Sequence, residues 1–346
     1  MSDAEKRARS VGLWLLALAG MILVNVVLGG LTRLTGSGLS MVEWQPFTLL
    51  PPMSDAAWAD MFVKYQESPQ FHLVNEGMDL AGFKGIFWLE YIHRNWGRLL
   101  GFAFLIPFVA FLVKGFITKR EIPALATLFL LGAAQGVLGW AMVASGLKDR
   151  PEVSHYRLAA HLFAALVLYA ALLWTGFNRL PAPARIDPAS RSAKTSKRHA
   201  LMVMVLLLIT IPVGALVAGL HAGLYYNSFP LMGDQLLPNE AWDMAPAWLN
   251  FVANPVMVQF VHRVLGMATW LTTISLLPSA LRSSVPGALR WRIALVPVLA
   301  TVQFGLGIAT LLSFVAIPLA VMHQVNAFLL FGSAMCAYVA VRRSGA

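Results

Sequence analysis

The chain of 346 residues is 58% hydrophobic and only 12% charged, with a mean hydropathy of +0.68. That composition excludes an ordinary soluble domain and a disordered tail, and it places the chain in a bilayer. The formal net charge of +10 is then accounted for by basic loops lying beside anionic lipid, so membrane lipid is the expected partner and nucleic acid is not.

Apolar stretches centred on 11–31, 86–113, 122–144, 157–177, 200–220, 256–278, 292–312 and 316–340 can each cross about 30 Å of hydrocarbon at about 1.5 Å of rise per residue. The sequence therefore predicts an all-α, polytopic membrane protein with eight transmembrane helices. Open strands are excluded because unpaired backbone groups in lipid each cost several kcal/mol. No secretory cleavage signal precedes the first stretch, so it reads as a span. It is followed by a long connection, 33–84, in which Leu34-Thr35-Gly36-Ser37-Gly38-Leu39 supplies turns. Within it, 56–65 carries an apolar stripe suited to a short interfacial helix, expected as a lid over the ends of the first four helices. A second long connection, 221–254, follows the fifth stretch.

Basic residues alternate with the spans. Lys6, Arg7 and Arg9, then Lys114, Lys119 and Arg120, then the run from Arg179 to Arg198, then Arg282, Arg290 and Arg292, and finally Arg342 and Arg343 fall on one side. The positive-inside rule makes that side cytoplasmic, with both termini on it, in a bacterial inner (cytoplasmic) membrane. Most acidic residues, including Glu43, Asp55, Asp60, Glu67, Asp234, Glu240 and Asp243, fall on the other. The single cysteine, Cys336, lies deep in the last span. It can form no intramolecular disulfide and reads as a small packing residue.

The polar, Pro-, Ser- and Arg-rich segment 179–199 reads as a cytoplasmic linker between a half at 1–178 and a half at 200–346. The halves repeat one another. Glu90-Tyr91-Ile92-His93-Arg94 is echoed by Gln259-Phe260-Val261-His262-Arg263, and Gln135-Gly136-Val137-Leu138-Gly139 by Gln303-Phe304-Gly305-Leu306-Gly307. Four spans per half give both the same orientation, so the expected architecture is two four-helix bundles related by a pseudo-twofold along the membrane normal.

Four histidines carry the chemistry: His93 and His161 in the first half, His262 and His323 in the second. The topology puts all four within about 10 Å of the non-cytoplasmic face. Four imidazoles at one depth need partners, since each unpaired one costs several kcal/mol in lipid. Imidazole is an axial ligand for haem iron, and two from facing helices can clamp a porphyrin between them. Zinc would want three or four ligands brought together. Arg94, Arg98, Arg157 and Arg263 lie near the same helix ends, as candidate partners for haem propionates or as snorkelling groups. Glu90 breaks the repeat, because its counterpart is Gln259. A carboxyl one helical turn from a haem ligand can relay protons, whereas an amide cannot, and a structural role paired to a nearby arginine is the alternative. The asymmetry predicts that the first half performs chemistry while the second holds a permanent, electron-transferring haem.

Taken together, Gly29-Gly30-Leu31-Thr32-Arg33-Leu34-Thr35-Gly36-Ser37-Gly38-Leu39-Ser40, Trp44-Gln45-Pro46, Tyr65-Gln66, Phe83-Lys84, Glu90 to Arg94, His161-Leu162, Val261-His262-Arg263 and His323-Gln324 resemble the haem A synthase family, COX15/CtaA, in its proteobacterial and mitochondrial branch. The resemblance covers nearly the whole chain. It implies oxidation of the C8 methyl of haem O to a formyl group, giving haem A for cytochrome c oxidase. It further implies His93 and His161 as ligands of the substrate haem, Glu90 as the catalytic carboxylate, and His262 and His323 as ligands of a haem b cofactor. The partners implied are haem O synthase, oxidase assembly factors, an electron carrier that the sequence leaves open, and further copies of the chain in a homo-oligomer. Some members carry a cysteine pair in the first outer loop, and this chain has none there. The residues alone give only a duplicated dihaem membrane protein, so a dihaem b electron-transfer protein is the alternative. A haem transporter is disfavoured by the shared depth of the histidines.

Overall fold

The computed structural model describes residues 2–43, 50–147, 151–181, 191–275, 277–278 and 287–344. Trp44-Gln45-Pro46, Arg185 and Arg282 lie outside the described residues. Within them the chain is helical, and no named strand occurs.

The long helices are α1 (Asp3–Leu34), α4 (Leu80–Val113), α5 (Ile122–Gly146), α6 (His155–Arg179), α7 (Arg191–Gly219), α9 (Pro255–Ile274), α10 (Gly287–Leu312) and α11 (Ile317–Arg343). Short helices α2 (Asp55–Gln66) and α3 (Pro69–Leu73) precede α4, and α8 (Asn250–Ala253) precedes α9. Their starts follow ordinary capping chemistry. Ser2 and Glu5 form a reciprocal capping box on α1, Asp79 accepts the Gly82 N–H at the start of α4, and Asn254 accepts the Val256 and Met257 N–H groups at the start of α9.

Seven of these helices are long and apolar enough to cross a membrane. The eighth expected span corresponds to α9, a 20-residue helix that falls outside the seven. Gln259, His262 and Arg263 dilute its apolar surface, so hydropathy is weakest where the polar groups concentrate. The expected linker is also partly helical: Arg179 closes α6, Arg191–Arg198 open α7, and 182–190 lie outside the described residues.

Helix α1 packs on α4 and α6, while α5 packs on α4 and α6. In the second half α7 packs on α9 and α11, while α10 packs on α9 and α11. The halves meet where α6 touches α7 and α11 and where α1 touches α11. Every long-helix pair within one half thus has its counterpart in the other. The correspondence reaches single hydrogen bonds: Ser145 Oγ accepts the Ser154 N–H at 3.0 Å before α6, and Ser313 Oγ accepts the Ala316 N–H at 3.3 Å before α11.

Helices in lipid gain no hydrophobic force from one another, so close packing and satisfied polar groups must hold them. Gly12 on α1 and Gly176 on α6 cross so closely that a Cβ built on either would lie 3.0 or 3.1 Å from the other's carbonyl oxygen. The Trp14 and Trp96 indoles donate to the Ala103 and Met21 carbonyls at 2.9 and 2.8 Å, tying α1 to α4. At the seam between halves, Tyr169 on α6 packs on Phe328 of α11, and its hydroxyl would lie 2.5 Å from a Cβ on Gly332.

Before α4, the loop segment builds a small aromatic core of its own. Trp58 and Tyr65 bury against Phe83 and Phe87, with Tyr65 stacked on Phe83 at 5.1 Å. The expected interfacial helix is present as α2, and its cover lies on the start of α4. Gln70 fastens the segment to the end of α1 by donating to the Gly36 carbonyl at 2.7 Å.

Gly332→Ala is expected to destabilise the chain by about 1–3 kcal/mol, because the added methyl meets the Tyr169 hydroxyl across the seam. Gly20, which has nothing within 4 Å of a built Cβ, is the control. Thermal unfolding in detergent should show a lowered Tm for Gly332→Ala and none for Gly20→Ala, whereas equal values would contradict the seam.

Candidate functional site

Each of the four histidines is set against a glycine on the preceding long helix. A Cβ on Gly29 of α1 would lie 3.1 Å from His93 Nε2, and one on Gly139 of α5 would lie 3.1 Å from His161 Cε1. In the second half a Cβ on Gly214 of α7 would lie 2.9 Å from His262 Cε1, and one on Gly307 of α10 would lie 2.9 Å from His323 Cε1. Any larger residue would push the ring away. The repeat therefore consists of four matched Gly–His contacts, with His161 and His323 in the same register, each in the second turn of its helix. The contacts join helices far apart in sequence, so only Gly29, Gly139 and Gly307 fall within motifs already conspicuous in the chain, and Gly214 gave no signal.

His262 and His323 face each other with ring centroids 6.3 Å apart and planes at 80°. Two imidazoles that each place a nitrogen about 2.0 Å from one metal ion bring their ring centres roughly 6 Å apart. The spacing therefore fits a single iron between them. The Gln303 amide nitrogen lies 3.2 Å from Nδ1 and 3.3 Å from Nε2 of His323, and Asn326 donates to Gln303 Oε1 at 2.8 Å, so polar side chains back this ring. His93 lies within electrostatic reach of His161. All four rings are half-buried, and His161 Nδ1 has no hydrogen-bond partner. Among the described residues no group of three or more His, Cys, Asp and Glu side chains could hold a metal ion. The donor set thus fits pairwise axial ligation of haem and not a zinc cage.

Glu90 is 2% exposed and held on both oxygens. Oε1 accepts from Arg94 at 2.5 Å, while Oε2 accepts from the Ser40 hydroxyl at 2.6 Å and the Met41 N–H at 2.9 Å. Arg94 also donates to the Met41 carbonyl at 3.1 Å. The equivalent pair in the second half grips the equivalent loop. Gln259 donates to the Tyr226 carbonyl at 3.1 Å, and Arg263 donates to the Tyr226 and Ser228 carbonyls at 2.8 and 2.9 Å. Both halves thus use position four before the arginine to fasten the turn that follows their first helix, but only the first half places a carboxylate there.

The arginines named from sequence do not converge. Arg94 is bound to Glu90, Arg98 donates to Asn95 at 2.9 Å, Arg157 to the Ala141 carbonyl at 2.5 Å, and Arg263 to the loop carbonyls. Of these four, Arg157 alone is among the residues lining the large cavity beside α6. The anchoring by Ser40 and Met41 was invisible in the sequence, because a hydroxyl fifty residues upstream gives no local pattern.

Residues 12–335 match the COX15-CtaA model, described as a cytochrome oxidase assembly protein. A heme A synthase of Rhodospirillum centenum is 48% identical over 94% of this chain and 86% of its own length. The heme A synthase of Parvibaculum lavamentivorans is 41% identical over 96% and 94%, and the heme A synthase COX15 of Bos taurus is 44% identical over 97% and 83%. With its repeated histidine pairs set in a helical membrane scaffold and its match running through nearly every helix, the chain belongs to the COX15-CtaA family of cytochrome oxidase assembly proteins.

Proposed function

We propose that the chain is a haem A synthase that oxidises the C8 methyl of haem O to a formyl group, producing haem A for cytochrome c oxidase. The choice of methyl and product follows the family resemblance, and the observation that carries the assignment of chemistry to the first half is the broken repeat: matched Gly–His contacts in both halves, with Glu90 in one and Gln259 in the other. On this reading His93 and His161 take the substrate haem. His262 and His323 take a resident haem b, which supplies one-electron transfer when bound.

The chain's own residues then divide the work. Gly29 and Gly139 set the imidazoles of the first half, and Ser40, Met41 and Arg94 hold the Glu90 carboxylate at fixed orientation, one helical turn before His93 in the chain. Glu90 is the group of this half that would exchange a proton during the reaction, which Gln259 cannot do. The loop segment built on α2 and α3 keeps water from the start of α4.

The reading includes α9 as an eighth span and two four-helix bundles at 1–178 and 200–346 related by a pseudo-twofold, joined by the 179–199 segment. Both termini face the cytoplasm of a bacterial inner membrane, and the histidines lie toward the periplasm. The reciprocal packing of the helices and the basic helix ends support this arrangement. Haem O synthase and oxidase assembly factors are the expected neighbours.

Glu90→Gln keeps the side chain's shape and is expected to retain both porphyrins while lowering the haem A yield by about 10²–10⁴-fold. Pigment extraction with mass analysis from membranes supplied with haem O reads this, and a wild-type haem A yield would sink the assignment. The reverse change, Gln259→Glu, should leave the yield within a few-fold. The histidines should also separate: His262→Ala or His323→Ala removes the resident haem b signal, whereas His93→Ala or His161→Ala leaves that signal and blocks product. Identical pigment content in all four variants would refute the pairing.

A further inference from the structure

At the loop face a cavity of about 1290 Å³ opens between the end of α5, the start of α6 and the end of α7. It is large enough for a tetrapyrrole, exceeding the ordinary range for small-ligand pockets. Its lining includes Leu138 and Ala160, the chain neighbours of Gly139 and His161, so it runs along the two helices that carry that Gly–His contact. The far wall belongs to the second half: Gly219, His221 and Tyr225. A Cβ on Gly219 would lie 2.6 Å from His155 Cβ, so only glycine lets the two walls meet.

His155, Arg157, His221, Glu152 and Tyr225 supply the charged and titratable groups of the lining. Arg33, from the last turn of α1, donates to His221 Nε2 at 3.0 Å and to the Ala218 carbonyl at 3.2 Å. That donation leaves the His221 proton on Nδ1, free to donate in turn. Burial, with Arg33 beside it, pushes the His221 imidazole below its ordinary pKa and favours the neutral donor form. His155 Nε2 is buried and has no partner. Among the described residues, Arg157 and two imidazoles line the mouth with Arg33 behind His221, against the carboxylate of Glu152, a balance that favours an anion.

The internal repeat shows that this polarity is specific to one seam. The turn Gly36-Ser37-Gly38-Leu39 aligns with His221-Ala222-Gly223-Leu224, and both first residues are left-handed, with φ of 69° and 50°. Glycine occupies that conformation without strain, whereas histidine is held in it at a cost on the order of 1 kcal/mol. On the register of Ser154 with Ala316, the counterparts of Glu152, His155 and Arg157 are Phe314, Ile317 and Leu319. The counterpart of Arg33, counted back from the turn, is Ala218. Every polar group of the mouth is thus apolar or small at the equivalent seam.

We infer that Arg33, His155, Arg157 and His221 form a carboxylate-recognition mouth, shared by the two halves, that receives the propionate groups of the tetrapyrrole substrate at the first-half histidine site. The inference rests on the functional reading above and adds to it the residues that recognise the substrate's anionic edge. The left-handed turn at His221 places an imidazole from the second half in the wall of a cavity whose other wall is built from α5 and α6.

The test is binding of ferric protoporphyrin IX and of its dimethyl ester to the full chain in detergent, with resident pigment retained, followed by Soret absorbance. The wild-type chain should bind the diacid about tenfold or more tightly than the diester. His221→Gly restores the residue the repeat uses and relieves the strained φ. It should keep or raise Tm while weakening the diacid severalfold and leaving the diester unchanged, and Arg33→Gln should act in the same direction. His161→Ala should shift the Soret band yet keep the preference for the diacid. Equal affinity for diacid and diester in the wild-type chain would overturn the mouth while leaving the histidine site standing. A lowered Tm for His221→Gly without change in that preference would assign the residue a structural role and also overturn it. Competition by phosphatidylglycerol vesicles with no effect of esterification would give the cluster to lipid phosphate instead. If neither porphyrin bound saturably, the functional reading itself would fail.

Discussion

An imidazole placed among membrane helices must be held by something other than water, and the rest of this structure follows from how four of them are held. Each ring lies against a glycine on the preceding long helix, close enough that a single added methyl would displace it. The helices can approach that closely only because their contacts are lined by small residues, such as Gly12 on Gly176. Ring position, helix spacing and bundle geometry are therefore one constraint. The facing rings of His262 and His323, with Gln303 and Asn326 behind, show the result.

Duplication supplies the frame, and departures from it supply the function. The grip of the arginine on the loop carbonyl at Met41 in one half and Tyr226 in the other is the same contact made twice. Against that background Glu90 in place of Gln259 is a chemical difference at a conserved geometry. A buried carboxylate bound to Arg94 is no evidence of stability by itself, since an apolar pair of similar shape would often serve as well. Its partners instead fix its direction. His221 in place of Gly36 is the same kind of departure, at the seam between halves.

Much of this was legible in the sequence because hydropathy and helical period are local. The long helices fall within a few residues of the apolar stretches at their apolar ends, and α2 coincides with the stripe at 56–65. The weakest match is α9, where Gln259, His262 and Arg263 lower the apolar content of the helix that carries a histidine. The histidine pairs could be read from the repeat, but not the glycines that seat them, which act across helices. Arg94 illustrates the limit: its spacing from Glu90 was visible, yet whether it would choose that carboxylate or a propionate depends on Ser40 and Met41, brought in from the end of α1. The cavity wall at His221 is still less local, needing both halves to be in place.

The central claim is that two matched histidine pairs hold two different porphyrins, one resident and one in turnover. Its most direct measurement is the pigment content per chain of the purified protein, with each porphyrin identified by mass, taken at low and high supply of haem O. The account predicts one haem b per chain at a constant ratio, together with a second fraction of haem O and haem A whose proportion changes with supply. Two haem b groups per chain, unchanged at every level of haem O, would contradict it.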